Sequence, residues 1–342
     1  MTDRKQYIDF LRVVCMLGVV YIHVLGFQSN ACFSDCKYMG YLLNFFAGMS
    51  VPLFFMISGA LLLNKIEDLK TLYGKRLMRF CVVLFVISLV QWGLASFFCD
   101  KISVKDIFFA CIGSKPIPHV NFGAQWFLYV YILTLLFLPF MQFLAKSLTN
   151  KGFVYLIILQ FALVCCIPSL HNFLGGGNSD VFIYKITPFQ KAHMFPYTPI
   201  YAAFFFMLGY YAEHRVKISR KLMLSLASMT VTLLLLSPQL LEFLDWCDFM
   251  PIPCLFIYLS AKYLWNTSSL SMCRFWTTLG GGAFTVMLTE NIFRLFAQPY
   301  IEGLFPQEYN LLSLFAVVFI TWGVCLILGI VLKRIPIIKQ YV

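Results

Sequence analysis

The sequence predicts an all-α, polytopic membrane helix bundle of about ten transmembrane helices, with both termini in the cytosol. Of its 342 residues, 61% are hydrophobic and only 12% are charged, whereas soluble domains are about 25% charged. Too few polar residues remain to cover a soluble fold of this length. Apolar stretches of about 20 residues also recur, and each is long enough to cross a hydrocarbon core of about 30 Å.

The apolar stretches follow one another with short connections. They cover residues 8–28, 41–64, 79–99, 123–144, 152–170, 197–212, 221–240, 247–265, 277–298 and 310–332. The longest connections, 100–122 and 171–196, are too short to build a core of their own. We therefore expect a single integral membrane domain over residues 1–342 without a separate soluble domain. The first stretch contains Arg12 and His23 and lacks a small-residue cleavage pattern, so it is predicted to be a retained helix.

The distribution of basic residues predicts the orientation, because Lys and Arg are retained on the cytosolic side. With the N-terminus inside, eighteen of the 26 Lys and Arg fall in cytosolic segments and six in outer ones, while Arg12 and Arg294 fall within helices. This imbalance predicts a multi-pass protein of the plasma or inner membrane. It also explains the net charge of +11 without a nucleic-acid partner.

The twelve cysteines do not show the spacing of a metal site, and no metal is predicted. Cys32, Cys36, Cys99 and Cys111 lie in or beside outer loops, where a disulfide is able to form. The helical cysteines are interpreted as small apolar side chains.

Three ionisable residues lie in the first stretch, although each costs at least about 2.5 kcal/mol at the centre of a membrane helix. Asp9 and Arg12 are three residues apart and share a face, so they are able to pair. His23 follows Arg12 by eleven residues, about 20° beyond three full turns and about 16 Å along the helix. One interpretation is that Arg12 snorkels to the headgroups and that His23 is a neutral, hydrogen-bonded side chain. Their alignment instead favours a site that takes an anionic donor from the cytosol and activates a hydroxyl further out.

Two further groups of charges have both a structural and a functional interpretation. A cytosolic cluster is formed by Lys75, Arg76 and Arg79. Its structural interpretation is the retention of basic residues on the cytosolic side, and its functional interpretation is a clamp for phosphate groups. Glu290 and Arg294 are four residues apart at membrane depth, where they neutralise one another or where the carboxylate faces a cavity and handles protons.

Several short motifs recur along the chain. The first helix opens with Tyr7-Ile8-Asp9-Phe10-Leu11-Arg12, with His23 following. The others are Val51-Pro52-Leu53-Phe54-Phe55-Met56-Ile57-Ser58-Gly59, Arg76-x-x-Arg79, Gln125-Trp126-Phe127-Leu128 and Phe204-Phe205-Phe206-Met207-Leu208-Gly209-Tyr210. Together these motifs resemble the membrane-bound acyltransferase family called acyltransferase 3, and they keep that family's order over most of the chain.

The resemblance implies transfer of an acyl group, usually acetyl, from a coenzyme A thioester to a hydroxyl of a sugar or lipid-linked glycan. Carried over, His23 is the catalytic base or a transient acyl carrier, and Arg12, Arg76 and Arg79, with Lys75, bind the donor. Asp9, Ser58, Trp126 and Arg294 are predicted to support the site, Trp126 either by stacking on a sugar or as an interface anchor. Acyl-CoA, expected to be acetyl-CoA, is a co-substrate, and no permanently bound cofactor is predicted. The expected partners are the lipid bilayer and a cell-envelope glycan.

The sequence departs from the family at one place. Relatives often carry Tyr-Leu-x-His where this chain has Met287-Leu288-Thr289-Glu290. Glu290 therefore replaces that histidine as a catalytic residue, or the role is absent. Three alternatives stay open: a succinyl rather than acetyl transferase, a transporter or flippase with a path through His23, Glu290 and Arg294, and a non-catalytic partner in an envelope assembly.

Overall fold

The protein folds into a bundle of α-helices. The structure, a computed structural model, describes residues 5–25, 37–65, 67–98, 105, 125–166, 199–240, 250–267, 273–303 and 311–335. These residues are 91% helical and contain no strand, in agreement with the all-α prediction. The helices are α1 (Gln6–Leu25), α2 (Lys37–Gly48), α3 (Ser50–Leu62), α4 (Met78–Phe98), α5 (Gln125–Leu136), α6 (Leu138–Ser147), α7 (Asn150–Phe161), α8 (Pro199–His214), α9 (Arg220–Leu240), α10 (Pro251–Thr267), α11 (Cys273–Gly303) and α12 (Leu311–Leu332).

Each predicted stretch coincides with one or two helices, and two stretches are divided. The stretch 41–64 divides at Met49 into α2 and α3, and the stretch 123–144 divides at Phe137 into α5 and α6. The axes of α5 and α6 differ by 55°. Pro139 lies in the first turn of α6, where a missing N–H breaks no helical hydrogen bond. The proline therefore starts a new helix, and a single straight helix was the wrong prediction here.

Three spans within the described residues are long and apolar enough to cross a membrane. They are Gln6–Val24, Tyr38–Leu62 and Ser313–Leu332, and the bent pair Trp126–Leu136 and Leu138–Ser147 makes a fourth if it counts as one span. Ten crossings remain a prediction. Large apolar side chains such as Phe143, Leu235 and Ile327 are exposed on the outside of the bundle, as expected for a surface that faces lipid.

Helix α1 lies at the centre of the bundle and contacts α2, α3, α10, α11 and α12. It packs tightly against α11 at Gly280, where an added Cβ would lie 2.8 Å from the Asp9 carbonyl oxygen. Gly280, Gly281 and Gly282 lie inside α11, and their lack of a side chain lets α11 approach its neighbours. The first helix is thus held directly against the helix that carries Glu290.

Two of the motif segments pack on each other through glycines. A Cβ on Gly59 of α3 would overlap the backbone of Phe206, and a Cβ on Gly209 of α8 would overlap the backbone of Met56. Small residues at a helix crossing let backbones approach closely, which drives association inside a membrane. These two glycines fix the α3–α8 crossing.

Replacing Gly59 by alanine is expected to destabilise the protein by about 3 kcal/mol or more, because a packed backbone is unable to make room for the methyl group. Thermal unfolding of the detergent-purified protein measures the change. Gly323→Ala is the matched control, since nothing lies within 4 Å of its added Cβ and alanine favours the helix. Equal melting temperatures for the two variants would contradict the packing role of Gly59.

One end of the bundle is tied together by a buried carboxylate. Glu213, at the end of α8, accepts hydrogen bonds from Lys5, from the Tyr7 hydroxyl at 2.5 Å and from the Tyr258 hydroxyl at 3.0 Å. Lys262 lies 3.5 Å from the same carboxylate. The start of α1 and the ends of α8 and α10 therefore meet at one end of the bundle. Lys5 and Lys262, which contact Glu213 there, are both residues that the orientation prediction assigns to the cytosol.

Candidate active site

His23 and Glu290 form a close pair inside the bundle. The His23 Nδ1 atom lies 2.6 Å from Glu290 Oε1. The side chain of His23 is 17% exposed and that of Glu290 is fully buried. The two residues are 267 positions apart in sequence, and the contact between α1 and α11 brings them together. The structure thus joins the two residues that the sequence proposed as catalytic.

The second oxygen of the Glu290 carboxylate is buried, and no donor among the described residues reaches it. On the neighbouring turn, Thr289 donates to the Thr285 carbonyl oxygen at 2.9 Å and hydrogen-bonds Cys325 of α12. The Arg294 side chain, the proposed neutralising partner of Glu290, lies outside the described residues. Glu290 therefore faces His23 with one oxygen and keeps acceptor capacity on the other.

Asp9 and Arg12 pair as their spacing predicts. Arg12 Nη1 donates to Asp9 Oδ1 at 2.9 Å, and the Asp9 side chain is buried while that of Arg12 is 30% exposed. Because an unpaired charge is costly at this depth, Asp9 offsets the charge of Arg12 and fixes its position. Part of the guanidinium stays accessible.

Three basic residues of the predicted phosphate clamp line one cleft. Lys75, Arg76 and Arg79 surround a space of ≈ 600 Å³ together with Glu67 and Thr71. The chain reaches α4 through a short turn, Leu69–Thr71, and a π-helical turn, Leu72–Leu77. Such π-turns occur frequently at functional sites. The cleft is therefore built from the turns that precede α4 and from the first turn of α4.

The acidic neighbours of this cleft have separate partners. Arg76 donates to Glu67 through Nε at 3.2 Å and through Nη2 at 2.6 Å. Asp68 caps the short turn and accepts from the backbone N–H of Thr71 at 3.1 Å. Hydrogen bonds from Thr71 hold the pKa of the exposed Asp68 carboxyl below its ordinary value, and the charge of Lys75 adds to this.

Arg79 connects the cleft to the helix that carries Glu290. Its guanidinium lies 5.9 Å from the ring centroid of Phe80 and 6.0 Å from that of Phe284. Phe284 is on α11, six residues before Glu290. Cation–π contacts of this kind stabilise a partly desolvated guanidinium. The cationic cleft and the His23–Glu290 pair are therefore both anchored on α11.

Tyr131 of α5 lies within electrostatic reach of three arginines. Its hydroxyl hydrogen-bonds Ser58, and the charges of Arg12, Arg76 and Arg79 act on it. The ring packs against Phe80 at 4.8 Å between centroids. Ser58 thus contributes a hydrogen bond to Tyr131. Arg12 does not line the cleft itself.

Some predicted residues lie apart from this arrangement. Trp126 packs edge-on against Phe127, 6.2 Å between ring centroids, and its contact with a sugar stays a prediction. Cys32, Cys36, Cys99 and Cys111 lie outside the described residues, so the outer-loop disulfide stays untested. Cys15, Cys81, Cys254 and Cys325 form no disulfide within the described part of the chain.

Sequence analysis missed two residues of the site. Glu67 was not singled out, although a carboxylate nine residues before Arg76 is a possible counter-ion once the intervening turn is known. Tyr131 was also missed, because tyrosine is common in membrane helices and nothing in its local sequence marks it. The contact of Glu67 depends on the fold of the turns before α4, and those of Tyr131 depend on how α5 packs against other helices.

The helical bundle thus holds a buried histidine–carboxylate pair and a cleft lined by basic side chains. The family model described as an acyltransferase domain matches residues 5–331, nearly the whole chain. The protein belongs to the acyltransferase 3 family, as the motifs predict. Searches of curated proteins and of solved structures returned no significant match.

Proposed function

We propose that this protein is a membrane O-acyltransferase that moves an acyl group, expected to be acetyl, from a cytosolic acyl-CoA to a hydroxyl of a cell-envelope or exported glycan. The observation that carries the proposal is the 2.6 Å contact between His23 and Glu290 in a chain of an acyltransferase family. An imidazole held by a carboxylate is the usual arrangement for removing a proton from a hydroxyl nucleophile.

The contact supports one direction of proton transfer. With Glu290 as an ionised carboxylate, which only accepts hydrogen bonds, His23 donates to it from Nδ1. The lone pair of the imidazole then lies on Nε2, which takes the proton of the acceptor hydroxyl. Glu290 also stabilises the imidazolium that forms.

In the direct route, the acceptor oxygen attacks the thioester carbonyl carbon as Nε2 of His23 takes its proton. The tetrahedral intermediate collapses, the C–S bond breaks, and His23 returns the proton to the leaving thiolate of coenzyme A. In the two-step route, Nε2 attacks the thioester carbonyl carbon, the C–S bond breaks and coenzyme A leaves as the thiolate. The acceptor oxygen then attacks the acyl group on Nε2, the C–N bond breaks, and the hydroxyl proton passes to the thiolate. The geometry at Nδ1 is the same for both routes.

Charge supports the position of the donor. One cleft is lined by Lys75, Arg76 and Arg79. The positive charge of Arg12 acts on Tyr131, as do the charges of Arg76 and Arg79. Guanidinium groups bind phosphate oxygens through two parallel hydrogen bonds. We place the phosphates of acyl-CoA in this cleft and the thioester nearer His23.

Replacing Arg79 by glutamine is expected to raise KM for acyl-CoA about 10- to 100-fold with kcat nearly unchanged, because a charge-assisted contact made equally in the ground and transition states is lost. Steady-state kinetics with purified protein measures both constants. Arg334→Gln is the control, since Arg334 is exposed near the end of α12 and outside the cleft. An unchanged KM in the Arg79 variant would remove Arg79 from the donor site.

A transporter or flippase is the alternative for the same buried charges, because ionisable residues inside a membrane also mark substrate and proton paths. Purified protein in lipid vesicles separates the two functions. Release of free coenzyme A thiol from acetyl-CoA in the presence of envelope glycan supports the transferase. Uptake of glycan without coenzyme A, and no thiol release, contradicts it.

The same assay distinguishes the acyl groups. Acetyl-CoA and succinyl-CoA are offered separately to the wild-type protein. We expect acetyl-CoA to be consumed faster, and a preference for succinyl-CoA would make the protein a succinyltransferase with the same reaction centre.

A further inference from the structure

The cationic cleft already contains an anion from the chain itself. The Glu67 carboxylate takes the Nε–Nη2 edge of the Arg76 guanidinium, at 3.2 Å from Nε and 2.6 Å from Nη2. This two-point contact is the one that arginine offers to a phosphate group. Glu67 therefore occupies Arg76 in the way that a bound phosphate would.

We propose that Glu67 is an exchangeable internal anion that a ligand phosphate must displace, so that the cleft holds ligands with two or more phosphate charges and discriminates against single-charge anions. The ligand class is a pyrophosphate-bearing nucleotide. The identification of that nucleotide with acyl-CoA depends on the proposed function, whereas the exchange at Arg76 does not.

The exposure of the pair makes exchange feasible. The side chains of Arg76 and Glu67 are 29% and 19% exposed, so water reaches both charges. Partly exposed ion pairs contribute little net stability, whereas a fully buried pair is costly to separate. A phosphate is consequently able to replace the carboxylate without unfolding the turn.

Charge explains the selectivity. When an anion with a single charge displaces Glu67, one two-point contact with Arg76 is replaced by another of the same kind. The gain in binding free energy is therefore small. A pyrophosphate also reaches Lys75 and Arg79, which line the same cleft and are not the partners of Glu67. The additional contacts are more numerous for the more highly charged ligand, so the wild-type cleft binds pyrophosphate more tightly than phosphate.

A permanent positioning role for Glu67 is the competing explanation, and it predicts the opposite sign. If Glu67 holds Arg76 in place for the ligand, removing its charge weakens anion binding. If Glu67 is displaced by the ligand, removing its charge strengthens binding. A third case, in which Glu67 stays beside the ligand and repels it, predicts that the more highly charged ligand gains more.

The test is the binding of inorganic phosphate and inorganic pyrophosphate to the full chain in detergent, measured by isothermal titration at fixed ionic strength. Glu67→Gln keeps the shape of the side chain and removes its charge. We expect phosphate and pyrophosphate both to bind about three- to tenfold more tightly, by the same factor, as expected for loss of a partly exposed two-point ion pair. In an Arg76→Gln background, Glu67→Gln is expected to change affinity less than about twofold.

Asp68→Asn is the matched control. It makes the same change in net charge one residue away, but Asp68 caps the turn through Thr71 instead of contacting Arg76. We expect it to change affinity less than about twofold, and circular dichroism checks that both variants are folded.

Weaker binding of either anion to Glu67→Gln, unchanged binding, or a larger gain for pyrophosphate than for phosphate would each overturn the proposal. So would wild-type protein that binds neither anion. Because the readout is binding, absence of acyl transfer would refute the proposed function and leave this result intact.

Discussion

Replacement of His23 by alanine is expected to lower kcat for acyl transfer by about 10²–10⁴-fold, the range that a positioned general base supplies. The donor cleft does not include His23, so the affinity for acyl-CoA is expected to stay within about twofold. Release of free thiol from acyl-CoA by the purified variant measures kcat, and titration with coenzyme A measures affinity.

His214→Ala is the matched control for this experiment. His214 lies at the end of α8, where its Nε2 is 3.0 Å from the Ala60 carbonyl oxygen, and it has no place in the proposed chemistry. The same substitution there is expected to lower thermal stability and to leave kcat per folded molecule within about threefold. Equal losses of kcat in the two variants would mean that His23 supports the folded structure and does not take part in the reaction.

Glu290→Gln is expected to produce the second large effect. The amide keeps the size of the side chain but no longer stabilises the imidazolium, and it is able to present N–H instead of oxygen to Nδ1. The His23 proton would then lie on Nε2, where it blocks acceptance of the hydroxyl proton. We expect kcat to fall by about 10²–10⁴-fold. In a His23→Ala background the same change should cost little more, because the two residues act as a unit.

Glu213→Gln provides the comparison for Glu290→Gln. Glu213 is also a buried carboxylate, but it accepts from Lys5, Tyr7 and Tyr258 at the end of the bundle. Its loss should lower the melting temperature and spare kcat per folded molecule. Glu290→Gln with a kcat within about threefold of wild type would show that the carboxylate does not orient His23.

Local patterns in the sequence were sufficient to predict where helices form and which residues contact each other along one helix. The Asp9–Arg12 pair follows from a spacing of three on one face of α1, and apolar length alone placed ten helical stretches. The break at Phe137 was missed because the hydropathy of residues 123–144 is continuous, although Pro139 is the local signal that a new helix starts there.

Contacts between helices could not be predicted from the sequence. The spacing of Glu290 and Arg294 suggested a pair along one helix, which stays a prediction because the Arg294 side chain lies outside the described residues. The contact of Glu290 with His23 of α1 had no signal in the local sequence. That partner depends on how closely α1 and α11 approach at Gly280. Glu67 and Tyr131 were missed for the same reason, since the turn before α4 and the packing of α5 decide what they contact.

The most direct test of the account is a mass comparison of envelope glycans from cells that produce the wild-type protein, the His23→Ala variant or the His214→Ala variant at equal levels. We predict that an acetyl mass on the glycan is lost with His23→Ala and is retained with His214→Ala. A glycan that keeps its acyl mass with His23→Ala would contradict the assignment of the His23–Glu290 pair as the reaction centre.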